Sequence, residues 1–340
     1  MKCYYIIISF VLAYLITSLL GNLLVPFLHK VKYGQTIKEI GPTWHKTKQG
    51  TPTMGGIMFI TGILIASSVG YLILFFNTQY RFYNDVILDG MKFFSGIFMA
   101  LGFGAIGFAD DYIKVVKKRN LGLMARQKTM LQILVGVLYL MAMYFANQSD
   151  STIIVPFIGQ YNLGFFYYPL ALFVIVGTVN AVNLTDGIDG LATSVTAVAG
   201  VGLLAIAYIL KSYTSQLMAV CLIGGCLGFL KWNKYPAKIF MGDTGAMFLG
   251  GLIVSLAFSI GQPIILVFIG IIYIIETMSV IIQVINFKLT GKRIFKMSPI
   301  HHHFEMSGYS ENKIVIIFSI VTVIGCLLAV WSVLNMGLKC

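Results

Sequence analysis

Charged side chains are scarce here: they make up 11% of 340 residues, against roughly a quarter in an ordinary soluble domain. That shortage excludes an aqueous globular fold, and the 58% of residues that are apolar must face something other than water. The five cysteines (Cys3, Cys221, Cys226, Cys326, Cys340) form no C-x-x-C pair, so neither a zinc site nor a disulfide framework is indicated. There is no Gly-Lys-Ser/Thr phosphate loop, Rossmann fingerprint, heptad run or fixed-period repeat. What recurs from end to end is the apolar run of about 20 residues, the length that crosses a bilayer. These runs leave no room for a separate soluble domain, so residues 1–340 are expected to form one membrane domain. The first run, Cys3 to Leu28, is too long for a signal-peptide core and has no small-residue cleavage site, so it is expected to remain as helix one.

The fold expected is all-α and polytopic, with ten spans near residues 4–28, 54–76, 91–109, 129–147, 165–182, 191–211, 215–231, 246–260, 264–285 and 313–335. Alternate loops then carry very different charge. One side holds 19 Lys/Arg against 8 Asp/Glu; the other holds Lys2, Arg81, Lys92, Lys211 and Lys339 against Asp85, Asp89 and Asp150, with Glu276 inside a span. By the positive-inside rule the basic side is cytosolic, and ten spans put both termini outside. Topology thus accounts for the net charge of +12. Nucleic acid is excluded as a partner, because the short basic loops lack a groove with interleaved aromatics. On the outer side, Ser151 to Phe166 alternates β-formers around Gly159 and Asn162, which predicts a short hairpin.

Asp110, Asp111, Asp186, Asp189 and Asp243 all fall at loop–helix junctions on the face expected to be cytosolic, and His29, His45, His301, His302 and His303 lie on that face too. Carboxylates beside hydrocarbon are costly unless paired or metal-bound, and a divalent cation is the simplest reason for the gathering. In Gly107-Phe-Ala-Asp-Asp-Tyr112 the adjacent acids repel each other and oppose the helix dipole, which argues against a merely solvated helix end. Asp186 and Asp189, three apart in Asn180-Ala-Val-Asn183-Leu-Thr-Asp-Gly-Ile-Asp-Gly190, share a face if the turn is helical; otherwise Asp186 caps span six and Asp189 satisfies backbone donors. Asp243 in Phe240-Met-Gly-Asp-Thr-Gly245 is either a cap for span eight or a ligand, and Phe240 either packs at the interface or stacks on a base.

The run Pro299-Ile-His-His-His-Phe-Glu305, near Lys292 and Arg293, offers imidazoles to a pyrophosphate or to a proton, and spacing does not choose between them. His45 to Gly56 combines basic donors, hydroxyls and a Pro/Gly turn leading into span two. Glu276, the one acid inside a span, is either a packing hydrogen-bonder or functional.

Together, Gly50-Thr-Pro-Thr-Met-Gly-Gly56, Gly107-Phe-Ala-Asp-Asp-Tyr112 with Lys114, Asn180 to Gly190, Phe240-Met-Gly-Asp243 and Pro299 to Glu305 resemble, in order and over nearly the whole chain, the phospho-N-acetylmuramoyl-pentapeptide-transferase family. That family sits within the polyprenyl-phosphate N-acetylhexosamine-1-phosphate transferase superfamily. The resemblance implies ten helices with a broken ninth, both termini outside, and a homodimer in the bacterial cytoplasmic membrane. It implies transfer of phospho-N-acetylmuramoyl-pentapeptide from its UDP-linked form to undecaprenyl phosphate, with Mg²⁺ as cofactor, giving lipid I and UMP.

Carried over by position, Asp243 matches the metal ligand and Asp110 and Asp111 the catalytic pair, with His302 and His303 placed beside them. Lys48, Asn183, Asp186, Phe240 and Gln283 match nucleotide-side positions, and Thr53, Lys114, Asn180, Asp189, Asn233 and His301 are assigned to substrate binding. The sequence departs from the family pattern at Ile188, where Leu is usual, and at Ala246, where a Ser hydroxyl often stands. A lipid phosphate is largely dianionic at neutral pH, its second pKa lying near ~6, so direct attack with Asp110 orienting rather than deprotonating is the mechanism expected. A sister transferase reading UDP-N-acetylglucosamine is the nearest rival, which the His-rich loop argues against. A transporter is the distant one, and it would need polar groups near the midplane beyond Glu276.

Overall fold

A computed structural model describes residues 4–30, 50–77, 80–81, 85–116, 122–146 and 151–337. Among these residues ten helices are long and apolar enough to cross a membrane, matching the ten expected runs. A membrane-spanning chain must satisfy its backbone groups internally, which selects the helix over any open strand. In chain order the helices are α1 (Tyr4–Lys30), α2 (Gly56–Phe75), α3 (Val86–Val116), α4 (Ala125–Phe145), α5 (Tyr167–Thr185), α6 (Leu191–Ile209), α7 (Tyr213–Asn233), α8 (Gly242–Ser259), the short α9 (Leu266–Ile269), α10 (Ile271–Thr290), the short α11 (Ile300–Glu305) and α12 (Glu311–Gly337).

The centre of the bundle is α7 and α8, whose apolar stretches are 83% and 89% buried, whereas α1, α4, α5 and α10 bury only 28% of theirs. Small residues let backbones approach at this centre. A Cβ on Gly56 would fall 2.4 Å from the Gly245 Cα, and one on Gly107 would fall 2.2 Å from the Asp243 carbonyl oxygen, so α2 and α3 close directly on the start of α8.

Two features of the spans shape the site, the first a departure from the expected boundary and the second the broken ninth helix that the resemblance implies. Span three does not end before Asp110: α3 runs on to Val116, so both aspartates project from its last two turns. Span nine is interrupted at Gly270, with a 3-10 turn (Pro263–Ile265) and α9 before the break and α10 after it, continuing to Thr290. The expected hairpin is present as β1 (Thr152–Val155) and β2 (Gly159–Asn162), antiparallel with Thr152 opposite Asn162 and Val155 opposite Gly159.

Candidate active site

The start of α8 organises the site. Its N-cap residue, Met241, provides no side-chain cap. The missing acceptor comes from α3: Asp111 accepts from the Asp243 amide (3.2 Å), the Thr244 amide (2.9 Å) and the Thr244 hydroxyl (2.7 Å). A carboxylate suits the positive end of a helix dipole, so Asp111 caps α8 from a neighbouring helix. Gly242 makes room for it, with φ at +70° and a Cβ position only 2.4 Å from Asp111 Oδ2 and 2.8 Å from the buried Thr53 hydroxyl. The 50–56 segment is bonded alongside: Phe240 donates its amide to the Pro52 carbonyl (2.9 Å), and Gly55 and Gly56 donate to Phe240 and Met241 (2.8 and 3.0 Å). Thr53 and Phe240 are thereby placed at the site's edge, while Lys48 lies outside the described residues.

This scaffold gathers Asp110, Asp111 and Asp243, one oxygen from each lying within 4.8 Å of the others. Two ammonium groups neutralise most of that charge. Lys114 bridges Asp110 (2.6 Å) and Asp243 (3.1 Å), and Lys128 of α4 reaches Asp243 at 2.8 Å. Asn183 donates to the other Asp243 oxygen at 3.0 Å, and the Leu123 amide donates to Asp110 at 2.8 Å. Asp110 and Asp111 are only 3% and 4% exposed, but the Lys114 side chain is 34% exposed, so the site opens on the lysine side. Asp186 stands at the C-terminal end of α5, half-buried; burial and then the charges of Asp243, Asp111 and Asp189 push its carboxyl up to about 8.

Three hard oxygen donors fit a divalent cation. Asp110 and Asp111 thus stand beside Asp243 as candidate donors.

Several other residues singled out from the sequence are held in structural bonds. Asn180 exchanges two hydrogen bonds with Gln132 of α4 (2.9 and 3.2 Å). Asn233 accepts from the Thr193 hydroxyl and donates to the Ile239 carbonyl, fixing the approach to α8. The Gln283 amide clamps the backbone of Ile294 and Phe295. The turn at 186–189 is not helical, and the N-cap residue of α6 is Gly190 at φ +74° rather than Asp186, while the expectation that Asp189 satisfies a backbone donor holds. Asp189 accepts from the Ala237 amide and donates its own amide to Glu311. In α11, His301 pairs with Glu276 (3.0 Å), His302 with Glu305 (2.6 Å), and His303 accepts from the Lys296 amide (3.1 Å).

Lys128 was not singled out from the sequence, because it sits where a basic loop meets span four and reads as topological charge. The signal available was the pair Lys128 and Gln132, one helical turn apart near the start of a mainly apolar helix, both turned inward.

The sequence has relatives. Glycosyl transferase family 4 matches residues 93–261, and the phospho-N-acetylmuramoyl-pentapeptide-transferase signature 1 matches residues 48–60. The chain is 45% identical over 325 residues to the phospho-N-acetylmuramoyl-pentapeptide-transferase of Clostridium perfringens (strain 13 / Type A), covering 95% of this chain and 97% of the relative. It is 46% identical over 329 residues to that of Thermoanaerobacter sp. (strain X514), covering 96% and 98%. The chain belongs to the phospho-N-acetylmuramoyl-pentapeptide-transferase family. A member from Halalkalibacterium halodurans is 42% identical over 96% of this chain and 97% of its own length. The family signature covers the segment bonded to the start of α8, and the broader family match takes in all three clustered aspartates and both lysines.

Proposed function

We propose that the chain transfers phospho-N-acetylmuramoyl-pentapeptide from its UDP-linked form to undecaprenyl phosphate, releasing UMP and leaving lipid I in the membrane. The observation that carries this reading is the cluster of Asp110, Asp111 and Asp243 with Lys114 and Lys128, in a member of this family. The whole chain acts as one domain in the bacterial cytoplasmic membrane, with this cluster on the basic, cytosolic side and both termini outside. It works as a homodimer.

Asp110, Asp111 and Asp243 would hold Mg²⁺, which when bound neutralises pyrophosphate oxygens and the leaving UMP. Lys114 and Lys128 supply positive charge to the transferred phosphoryl group, as such transfer demands positioning and charge more than covalent chemistry. Asn183 and Asp186 line the nucleotide side, with Thr53 and Phe240 at the rim. Asp110 orients the lipid phosphate and does not attack phosphorus. One of its oxygens already accepts a backbone amide and the other meets the Lys114 ammonium, an arrangement that leaves a poor nucleophile. Asp111 is similarly committed to the α8 amides.

The test is release of UMP from UDP-N-acetylmuramoyl-pentapeptide by the purified chain. Release is expected only with both polyprenyl phosphate and Mg²⁺ present, and UDP-N-acetylglucosamine should not substitute. Turnover of UDP-N-acetylglucosamine instead would move the chain to the sister reaction. A phosphosugar trapped on Asp110 or Asp111 without lipid phosphate would overturn the direct attack.

A further inference from the structure

Glu276 lies within α10, without exposed surface and apart from the three-carboxylate cluster. Its Oε1 stands 3.0 Å from Nδ1 of His301, which is equally buried. Ionisable groups inside membrane spans are rare, paired and functional. That contact occupies Nδ1, and Nε2 points the other way. That nitrogen finds no hydrogen-bond partner among the described residues. It faces Gly187: a Cβ there would fall 2.1 Å from Nε2, 2.6 Å from Cε1 and 3.2 Å from Cδ2, so the three atoms nearest to it all belong to the His301 ring. The imidazole is pressed against the turn that carries Asp186, and Asn183, which donates to Asp243, ends the helix feeding that turn.

We propose that Glu276 and His301 are a positioning pair for the transfer reaction. The carboxylate fixes the ring from within α10, the ring sets the height of the turn at Gly187, and the turn places Asn183 and Asp186 against Asp243. His301 acts through the turn, and neither member of the pair touches the reacting atoms. This assignment rests on the reaction proposed above.

The experiment compares Glu276→Ala, Glu276→Gln, His301→Ala, Gly187→Ala and the double variant Gly187→Ala/His301→Ala. Each is read as kcat and KM per folded enzyme, as UMP affinity and as thermal midpoint. Glu276→Ala is expected to lower kcat roughly 10- to 100-fold, the scale on which loss of an outer partner that orients a metal ligand acts, with KM for the nucleotide sugar nearly unchanged. Glu276→Gln, which keeps a hydrogen-bond partner for Nδ1, should recover most of that loss. Gly187→Ala should be harmful in the native background and add nothing once His301 is Ala, because the collision has been removed. Additive losses in that cycle, a Gln no better than Ala, or native kcat in Glu276→Ala would each overturn the pair. If Glu276→Ala does not fold, the Gly187/His301 cycle decides alone. Its affinity and thermal arms are read whatever sugar the chain transfers, so failure of the pair is distinguishable from failure of the proposed reaction.

Discussion

Lys128 reaches from the first turn of α4 to Asp243, its ammonium 2.8 Å from the carboxylate oxygen that Lys114 also approaches at 3.1 Å. An ammonium so placed both competes with a dication for the carboxylate and offers charge to a phosphate. Its removal should therefore move binding and turnover in opposite directions. Lys128→Ala is expected to tighten Mg²⁺ binding about tenfold, since a close like charge is gone, while lowering UMP release by roughly 100-fold. Calorimetric Mg²⁺ titration beside a turnover assay reads both. A variant that weakens both equally would show that Lys128 only supports the fold.

The reciprocal amides of Gln132 and Asn180 make a different expectation. Both of their bonds run between α4 and α5, and Gln132 is 1% exposed, so the pair is a helix–helix clamp. Asn180→Ala leaves a buried amide unpaired and should cost about 1–2 kcal/mol of stability. Replacing both residues with Leu should restore most of it. KM for the nucleotide sugar should hardly move in either variant, whereas a large rise would return Asn180 to the substrate side.

Those two predictions mark where the sequence was legible. Ten spans follow from hydrophobic length alone, and the junction aspartates from the cost of charge beside hydrocarbon, so Asp110, Asp111 and Asp243 could be named in advance. Which polar residue bonds to which could not, because the partners lie far apart in the chain: Gln132 with Asn180, Asn233 with Thr193, Glu276 with His301. Lys128 was hidden for another reason. A lysine where a helix meets a basic loop is what the charge pattern leads one to expect, and only the inward turn of its helix face distinguishes it.

Thr244 ties its hydroxyl to Asp111 Oδ2 at 2.7 Å, in a place 2% exposed. Thr244→Val keeps the shape and deletes the donor, so one carboxylate oxygen loses a charge-assisted bond. The expected loss is about 1.5–3 kcal/mol, seen as a lower thermal midpoint in detergent. Thr244→Ser should return most of it. Asp111→Ala should cost more, because two amides at the start of α8 lose their acceptor as well.

Asp186 gives the pH dependence. Burial, and after it the charges of Asp243, Asp111 and Asp189, raise its carboxyl from 3.8 to about 8, so at neutral pH the metal-free protein holds this proton. Because the folded state binds the proton more tightly than the unfolded chain, the linked stabilisation is complete below the ordinary carboxylate pKa and disappears as pH rises through about 8. Metal-free protein should therefore lose stability between pH 6 and pH 9 by this group, and Asp186→Asn should flatten that slope. A dication among Asp110, Asp111 and Asp243 cancels the charges that help hold the proton, which lowers the Asp186 pKa and expels part of the proton. Titrating Mg²⁺ into weakly buffered protein at pH 7 should acidify the solution by a fraction of a proton per ion bound, and Asp186→Asn should abolish most of that release. Equal release from the variant would assign the proton to another carboxylate of the cluster.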